Sequence, residues 1–404
     1  MIDNRCRTVI LLTHEYPPYV FGGVATYAKQ LAEWLSQNGW KVFIIAGRAT
    51  FNEKVVLERA SNNITVIRIY FPEVPPQWFF YALQARKYVE MILNKNQALV
   101  LSNNPLTWLT LKNLKKLKNH AGFVTVFHGS VYSLLAFFQY SSLKELKKIS
   151  LEETIYYMQN PLINYLTKRD LITSDRLIFV ARHVVKEFKS LYKDLDEKIR
   201  KYGTVSYPGI EYDSLVRLRK DVEVEKDKLI VAYVGRMYYT KGVTEVIRTI
   251  ETSIKEGYSK DIECWLFGRG PLESWLMCYI KKRELSRYVK YYGFVERTKL
   301  LNILANYVNV LLHPSFYEGA PLSIMEAQAL GIPAITYDLP WAHEFIINGL
   351  NGFRVPFGDT IELLEKTFKA KKLNRNRITR LAKRYDRKIS FESLKKALKK
   401  ALEG

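Results

Sequence analysis

Cysteine is scarce in this sequence, with only Cys6, Cys264 and Cys278 among 404 residues. Three widely spaced thiols make no disulfide framework and no Cys-x-x-Cys pair, which excludes a disulfide-stapled or zinc-ribbon design. A reducing cytoplasm is the setting they suit. Histidine is also sparse: there are six, and none stands in His-Glu-x-x-His or a comparable metal-ligand spacing. No uninterrupted apolar run is long enough to span a bilayer. The opening "MIDNRCRTVILLTHEYPP" has a short apolar run that breaks into His, Glu and two prolines, with no small-residue cleavage site. It reads as a first β-strand rather than a signal peptide. Repeats of solenoid type and low-complexity stretches are missing too. Acidic residues fall well short of basic ones, 40 against 62, leaving a formal charge of +22. That imbalance bears on partners and solubility, not on fold: nucleic acid, an anionic membrane and phosphorylated substrates are all compatible with it.

What is present is a globular composition, 48% hydrophobic and 25% charged, in a chain long enough for two or three domains. Short β-branched runs recur, each followed by a helical stretch. In the first half they fall at 7–13, 41–47, 64–70, 98–103, 122–129 and 176–181; in the second, at 228–236, 262–270, 289–295, 308–315 and 333–338. Several are apolar throughout instead of alternating, as suits parallel strands covered on both faces. The predicted class is therefore α/β, with two doubly wound Rossmann-like domains facing across a cleft. The expected domains are 1–207, 208–389 and a C-terminal helix over 390–404. The boundary is placed at "YPGIEYDSLVRLRKDVEVEKDK" (207–228), which opens with Pro and Gly and turns densely charged. A basic run over 366–400 carries fifteen Lys/Arg against Asp386 and Glu392. It reads equally as a solvated helical face or as a surface for membrane or phosphate.

Ligands of open α/β sheets bind at the carboxyl ends of strands, and the chemistry-bearing residues follow strands here. In "FYEGAPLSIMEAQALGIPAI" (316–335), Glu318 lies in the loop after a strand and Glu326 on the second turn of an apolar helix. Pro321 suits that helix's first turn and Gly331 its end. The free N–H groups at the helix start, near Leu322 and Ser323, offer an anion site. A carboxylate thus precedes an anion cradle and another follows it, matching a sugar nucleotide with hydroxyls at both ends and a diphosphate between. The plain alternative for Glu326 is a structural charge met by a buried Arg or Lys. Arg236 and Lys241 flank the loop after another strand; guanidinium and ammonium groups there suit phosphate oxygens. Gly22 and Gly23 follow the first strand and open a helix, and Gly268 follows a later strand. Each of these allows close backbone approach to a phosphate, and a tight turn explains each as well. His128 ends a strand, as a polar contact to substrate or as a satisfied loop histidine. Asp194 and Asp196 form a metal–diphosphate decoy within alternating charges, and no metal site is predicted.

Together these segments resemble glycosyltransferase family 4, whose fold is GT-B. The resemblance covers most of the chain in order: "GGVATYAKQLAEWLSQNGWKVFIIAG", "FHG", "SYPGIEYD", "VGRMYYTKG", "LFGRGP", "YYGFV" and "HPSFYEGAPLSIMEAQALGIPAI". It implies a retaining transferase that moves a hexose from a nucleoside-diphosphate sugar to a glycan or lipid-linked acceptor. No cofactor and no essential metal are implied. By position, Gly23 matches the glycine against the donor's β-phosphate, and Arg236 and Lys241 the pair holding the diphosphate. Glu318 matches the glutamate at the donor sugar, Glu326 that at the ribose, and His128 the histidine near the reacting sugar. Leu322 and Ser323 match positions whose backbone N–H groups face the phosphates and sugar. "YPGIE" departs from the commoner Pro-Asn-Gly-hydrophobic-Asp at the interdomain hinge. The last helix resembles one that crosses back onto the first domain.

Two other functions are compatible with parts of the sequence. A glycoside hydrolase would use Glu318 and Glu326 but leave Arg236, Lys241 and the glycine loops idle. A basic binding protein for nucleic acid or membrane would explain the charge but not the glutamates. The transferase reading expects no nucleic-acid partner. It places the protein in the cytoplasm, with a peripheral contact to an anionic membrane compatible with the aromatic and basic stretch 74–88, the amphipathic stretch 105–118 and the apolar stretch 130–140.

Overall fold

The computed structural model describes residues 7–403, apart from residue 21 and the stretches 49–52, 54, 73–76, 95–96, 105–106, 112–120, 131–138, 140–153, 156–157, 220–227 and 259–260. Cys6, the lysines of 112–118, most of 130–140 and residues 220–227 of the charged boundary segment therefore lie outside the described residues. The described chain divides into two compact units. One is built from residues up to 131, Ile155–Gly209 and Ser390 onward, the other on Ile210–Ile389.

The first unit holds an eight-stranded sheet of β1 (Thr8–Thr13), β2 (Lys41–Gly47), β3 (Val55–Ser61), β4 (Ile64–Ile69), β5 (Ala98–Ser102), β6 (Ala121–Phe127), β7 (Arg176–Phe179) and β8 (Gly203–Val205). Their order is β3-β4-β2-β1-β5-β6-β7-β8. Every neighbouring pair is parallel except β3 with β4. The apolar runs explain the centre of the sheet: β1 and β5 are buried at every residue, because helices cover both faces. Each fully buried Leu, Ile or Val there contributes about 1.5–3 kcal/mol over an exposed one. β3 was not predicted. Its "VVLERAS" is largely exposed on an antiparallel edge, so no continuous apolar run marks it.

The second unit holds β9 (Leu229–Val234), β10 (Ile262–Phe267), β11 (Val289–Gly293), β12 (Val310–Leu312), β13 (Ala334–Tyr337) and β14 (Gly352–Val355) in the order β11-β10-β9-β12-β13-β14. All pairs are parallel. Strands β8 and β14 also escaped the sequence reading, being only three and four residues long and opening on glycine. Among the described residues no helix is long and apolar enough to cross a membrane.

The last helix, Arg387–Glu403, starts one turn earlier than expected. From Ser390 onward it belongs to the first unit. Phe391 packs edge-on against Tyr27 and Trp34, with ring centroids 5.9 and 5.4 Å apart. Ser206 donates to the Ser390 carbonyl at 2.9 Å, and Arg176 to that of Lys400 at 2.9 Å.

Gly268 has a structural reason for being glycine. Its φ is +130°, and a Cβ there would stand 1.9 Å from the carbonyl oxygen of Gly235 at the end of the adjacent strand. Gly257 is left-handed too (φ +83°), but a Cβ there meets nothing within 4 Å. Gly257→Ala should therefore cost only the intrinsic penalty, about 1–2 kcal/mol. Gly268→Ala should cost clearly more, about 3 kcal/mol or over, because backbone must move against backbone. Urea unfolding of both variants checks this; equal losses would contradict the close packing.

Candidate active site

In the second unit the strand ends gather a charged cluster. β9 and β12 are parallel neighbours, so the loops leaving their carboxyl ends lie side by side. They are tied together: Phe316 donates its backbone N–H to the Thr240 carbonyl at 2.9 Å. Gly242 (φ +74°) lies so close that a Cβ would stand 2.0 Å from the Pro314 carbonyl oxygen. This brings Lys241 onto Glu318, with Nζ 2.7 Å from Oε1. His313, the first residue after β12, approaches the same oxygen from within the unit, Nε2 to Oε1 being 3.0 Å. His313 is almost fully buried, with a relative exposure of 3%. Its ring meets Trp341 edge-on and its Nδ1 lies 3.5 Å from the hydroxyl of Ser323. Burial alone would push the Glu318 carboxyl up, but Lys241 and His313 more than offset it and hold the group well below the ordinary carboxylate range.

Ser323 and Leu322 open the helix Leu322–Ala329. Pro321 stands just before it, as the capping residue, rather than in its first turn. Arg236 lies half-buried after β9, its guanidinium 4.0 Å over the Tyr238 ring and bonded to that residue's hydroxyl. The cluster thus brings together Lys241, Glu318 and Ser323 of the predicted residues and adds His313. No sequence signal singled out His313, because its contact with Glu318, five residues on, is made by the fold of the loop after β12 and not by a motif.

Glu326 is buried, as its apolar helix suggested. Arg297 meets it, donating from Nε at 2.9 Å and Nη2 at 2.6 Å, both to Oε1. Burial disfavours charge on this guanidinium, yet the nearby Glu326 carboxylate carries its affinity for a proton above the ordinary arginine value. The structural alternative raised for Glu326 thus has a named partner, although Oε2 takes no hydrogen bond from the described residues.

In the first unit the remaining predicted residues collect at the carboxyl ends of β1, β5 and β6. Gly22 caps the helix Gly23–Gln37 in extended backbone, and its N–H donates to Glu15 Oε2 at 3.1 Å. His128 follows β6 and sits 2.8 Å from the side-chain oxygen of Asn103, which follows β5. Asn103 in turn donates to Thr13 Oγ1 and the Val24 carbonyl. Its amide orientation makes His128 Nε2 the donor. Glu15 and Asn103 were not singled out in the sequence, since neither belongs to a motif. Asp194 and Asp196 pair with Lys168 and with Lys189 and Arg200. The described residues contain no group of three metal-ligating side chains.

Burial pushes the His128 imidazole down to about 4, against the opposing pull of Glu15 and Asn103. Between that value and the ordinary 6.5, the native chain binds fewer protons than the unfolded one. Stability is thus complete above pH 6.5 and declines as pH falls toward 4, by up to about 3 kcal/mol from this group. His128→Gln keeps a donor but cannot titrate. Urea unfolding at both pH values should show the parent losing about 3 kcal/mol more than the variant; parallel losses would contradict a neutral imidazole in the folded chain.

The family profile described as Glycosyltransferase Family 4 matches residues 21–203, and that described as Glycosyl transferases group 1 matches 217–387. An uncharacterized glycosyltransferase of Methanocaldococcus jannaschii is 23% identical over 361 residues, 86% of this chain and 84% of the relative. Among solved structures, sucrose-phosphate synthase from Thermosynechococcus elongatus superposes with a TM-score of 0.74 at 17% identity, covering 98% of each chain. Anabaena HepE in complex with UDP gives 0.67 at 16% identity, over 98% of this chain and 100% of that one. With two family profiles meeting the two Rossmann-like sheets in order, the chain belongs to glycosyltransferase family 4 and has the GT-B fold.

Proposed function

We propose that this transferase moves a hexose from a nucleoside-diphosphate sugar to a glycan or lipid-linked acceptor, with retention and without an essential metal. The Lys241–Glu318–His313 cluster beside the start of the helix Leu322–Ala329 carries this reading. Lys241 and Arg236 are cations that can follow the negative charge of a departing diphosphate. The backbone N–H groups of Leu322 and Ser323 and the helix dipole add to that stabilisation. Glu318 stays ionised and can stabilise positive charge at the anomeric carbon. Glu326 keeps Oε2 for a ribose hydroxyl while Arg297 holds Oε1. By the family resemblance, Gly22, Gly23 and His128 have roles toward phosphate and sugar, and Gly268 shapes the loop after its strand. Departure of the diphosphate on the face that the acceptor attacks accounts for retention without a covalent nucleophile. HepE, a structural neighbour, is described in complex with UDP, so uridine diphosphate sugars are the first donors to assay.

The hydrolase alternative needs a carboxylic acid with a raised pKa to protonate the leaving oxygen. Glu318 is held in the opposite direction, and Glu326 is engaged by Arg297. A nucleic-acid binder leaves the whole cluster without a purpose.

A cytoplasmic setting with peripheral membrane contact is part of the proposal, consistent with the free thiols Cys264 and Cys278. The helix Asn160–Thr173 and the turn before it expose Met158 (77%), Leu162 (44%), Tyr165 (53%) and Ile172 (44%) along one face, with Arg169 within the same row. Flotation with phosphatidylglycerol vesicles should retain the protein, and Leu162→Ser with Tyr165→Ser should cut the bound fraction about tenfold. Absence of binding by the parent would remove the membrane part and leave the transferase part standing.

The transferase itself is tested through the two glutamates, with all assays in EDTA. Glu318→Gln should lower kcat on the order of a hundredfold while nucleotide affinity stays near normal. Glu326→Gln should chiefly weaken binding of donor and free nucleoside diphosphate. Calorimetric titration beside donor turnover separates them; reversed effects would exchange the roles, and loss of all turnover in EDTA with recovery on Mg²⁺ would overturn metal independence.

A further inference from the structure

The cluster contains one residue to which the family resemblance gives no role, His313. We propose that His313 is a positioning residue for Glu318. It is held by the Ser323 hydroxyl as the neutral Nε2–H tautomer and donates that N–H to the carboxylate. The role of Glu318 at the transferred sugar rests on the proposed transferase reading; the tautomer and its partners do not.

The donor and acceptor capacities of these three side chains fix most of this. An ionised carboxylate only accepts, so a His313 Nε2 lying 3.0 Å from Glu318 Oε1 must donate. Two protonation states satisfy that: neutral with the proton on Nε2, or the imidazolium. Lys241 already brings a full positive charge to the same oxygen, at 2.7 Å. A second cation on that oxygen, on a ring that is itself almost fully buried, would repel the first, which favours the neutral ring. Nδ1 is then an acceptor, and the group before it is a hydroxyl, Ser323 Oγ at 3.5 Å, which can donate. The chain of donation runs from Ser323 to His313 to Glu318. Packing restrains the ring: the His313 side chain is almost fully buried and Trp341 meets it edge-on, while its backbone N–H anchors the main chain on the Ile335 carbonyl at 2.8 Å.

The consequence is electrostatic. When a diphosphate draws Lys241 toward itself, a neutral donor still aims the carboxylate. Because the imidazole carries no charge, it orients Glu318 without cancelling the negative charge that must face the developing positive centre. A lysine at 313 would aim the group and neutralise it together.

Nitrogen-15 spectra of the histidine-labelled full chain at pH 7.5, assigned by difference with His313→Gln, test the tautomer without any substrate. The expected result is a protonated Nε2 and an unprotonated Nδ1, with the two forms mixing in Ser323→Ala. A protonated Nδ1, or an imidazolium, would overturn the proposal. Turnover supplies the second readout. His313→Gln, which retains a donor, should hold kcat within about threefold of the parent. His313→Leu and His313→Lys should lose about thirtyfold or more in kcat, with donor KM and nucleoside-diphosphate affinity within twofold. Parallel loss of affinity and turnover in all three variants would make His313 merely structural. If the parent neither binds nor turns over nucleotide sugars, the transferase reading fails by that result alone, whatever the tautomer.

Discussion

A carboxylate removed from water stays charged only if donors replace the water, and the arrangement around Glu318 is built on that constraint. Lys241 and His313 both address Oε1, at 2.7 and 3.0 Å. They come from different places in the chain: His313 is five residues before Glu318 in the same loop after β12, whereas Lys241 comes from the loop after β9, 77 residues away. The parallel pairing of those strands makes them neighbours. Tight contacts between the loops then fix the distance, through Phe316 with Thr240 and through the bare backbone of Gly242 against Pro314. The loop register is therefore as much a part of the site as the charged groups.

The same logic is repeated with different partners at Glu326. Its helix is apolar nearly all round, so the carboxylate enters the interior with it, and Arg297 supplies two N–H groups. Removing Arg297 would leave the buried Glu326 carboxylate without its partner, which costs far more than the pair contributes. That one oxygen takes both bonds reconciles two readings of this residue: it is a satisfied structural charge and it retains an acceptor atom.

In the first unit the strand ends set the Glu15 carboxylate beside a histidine that stays neutral. Burial keeps His128 uncharged, and Asn103 fixes its orientation through bonds to Thr13 and Val24. The contrast has a physical origin. An imidazole can shed its proton when desolvated, whereas a carboxylate needed as an anion must be given counter-charge.

The sequence by itself determined the α/β class, most central strands and the location of candidate residues after strands. Continuous apolar runs and turn residues are local signals, and burial on both faces leaves them little choice. The ordered motifs also placed Glu318, Glu326, Arg236 and Lys241. The edge and short strands β3, β8 and β14 were not legible, because a polar edge or three to four residues carry no periodicity. Nor were His313, Arg297, Glu15 and Asn103, whose importance lies in whom they touch. Arg297 and Glu326 stand 29 residues apart in the chain, and Asn103 and His128 stand 25 apart. Only the tertiary structure decided those partnerships, since strand order and helix packing, not sequence spacing, set which donor reaches which buried acceptor.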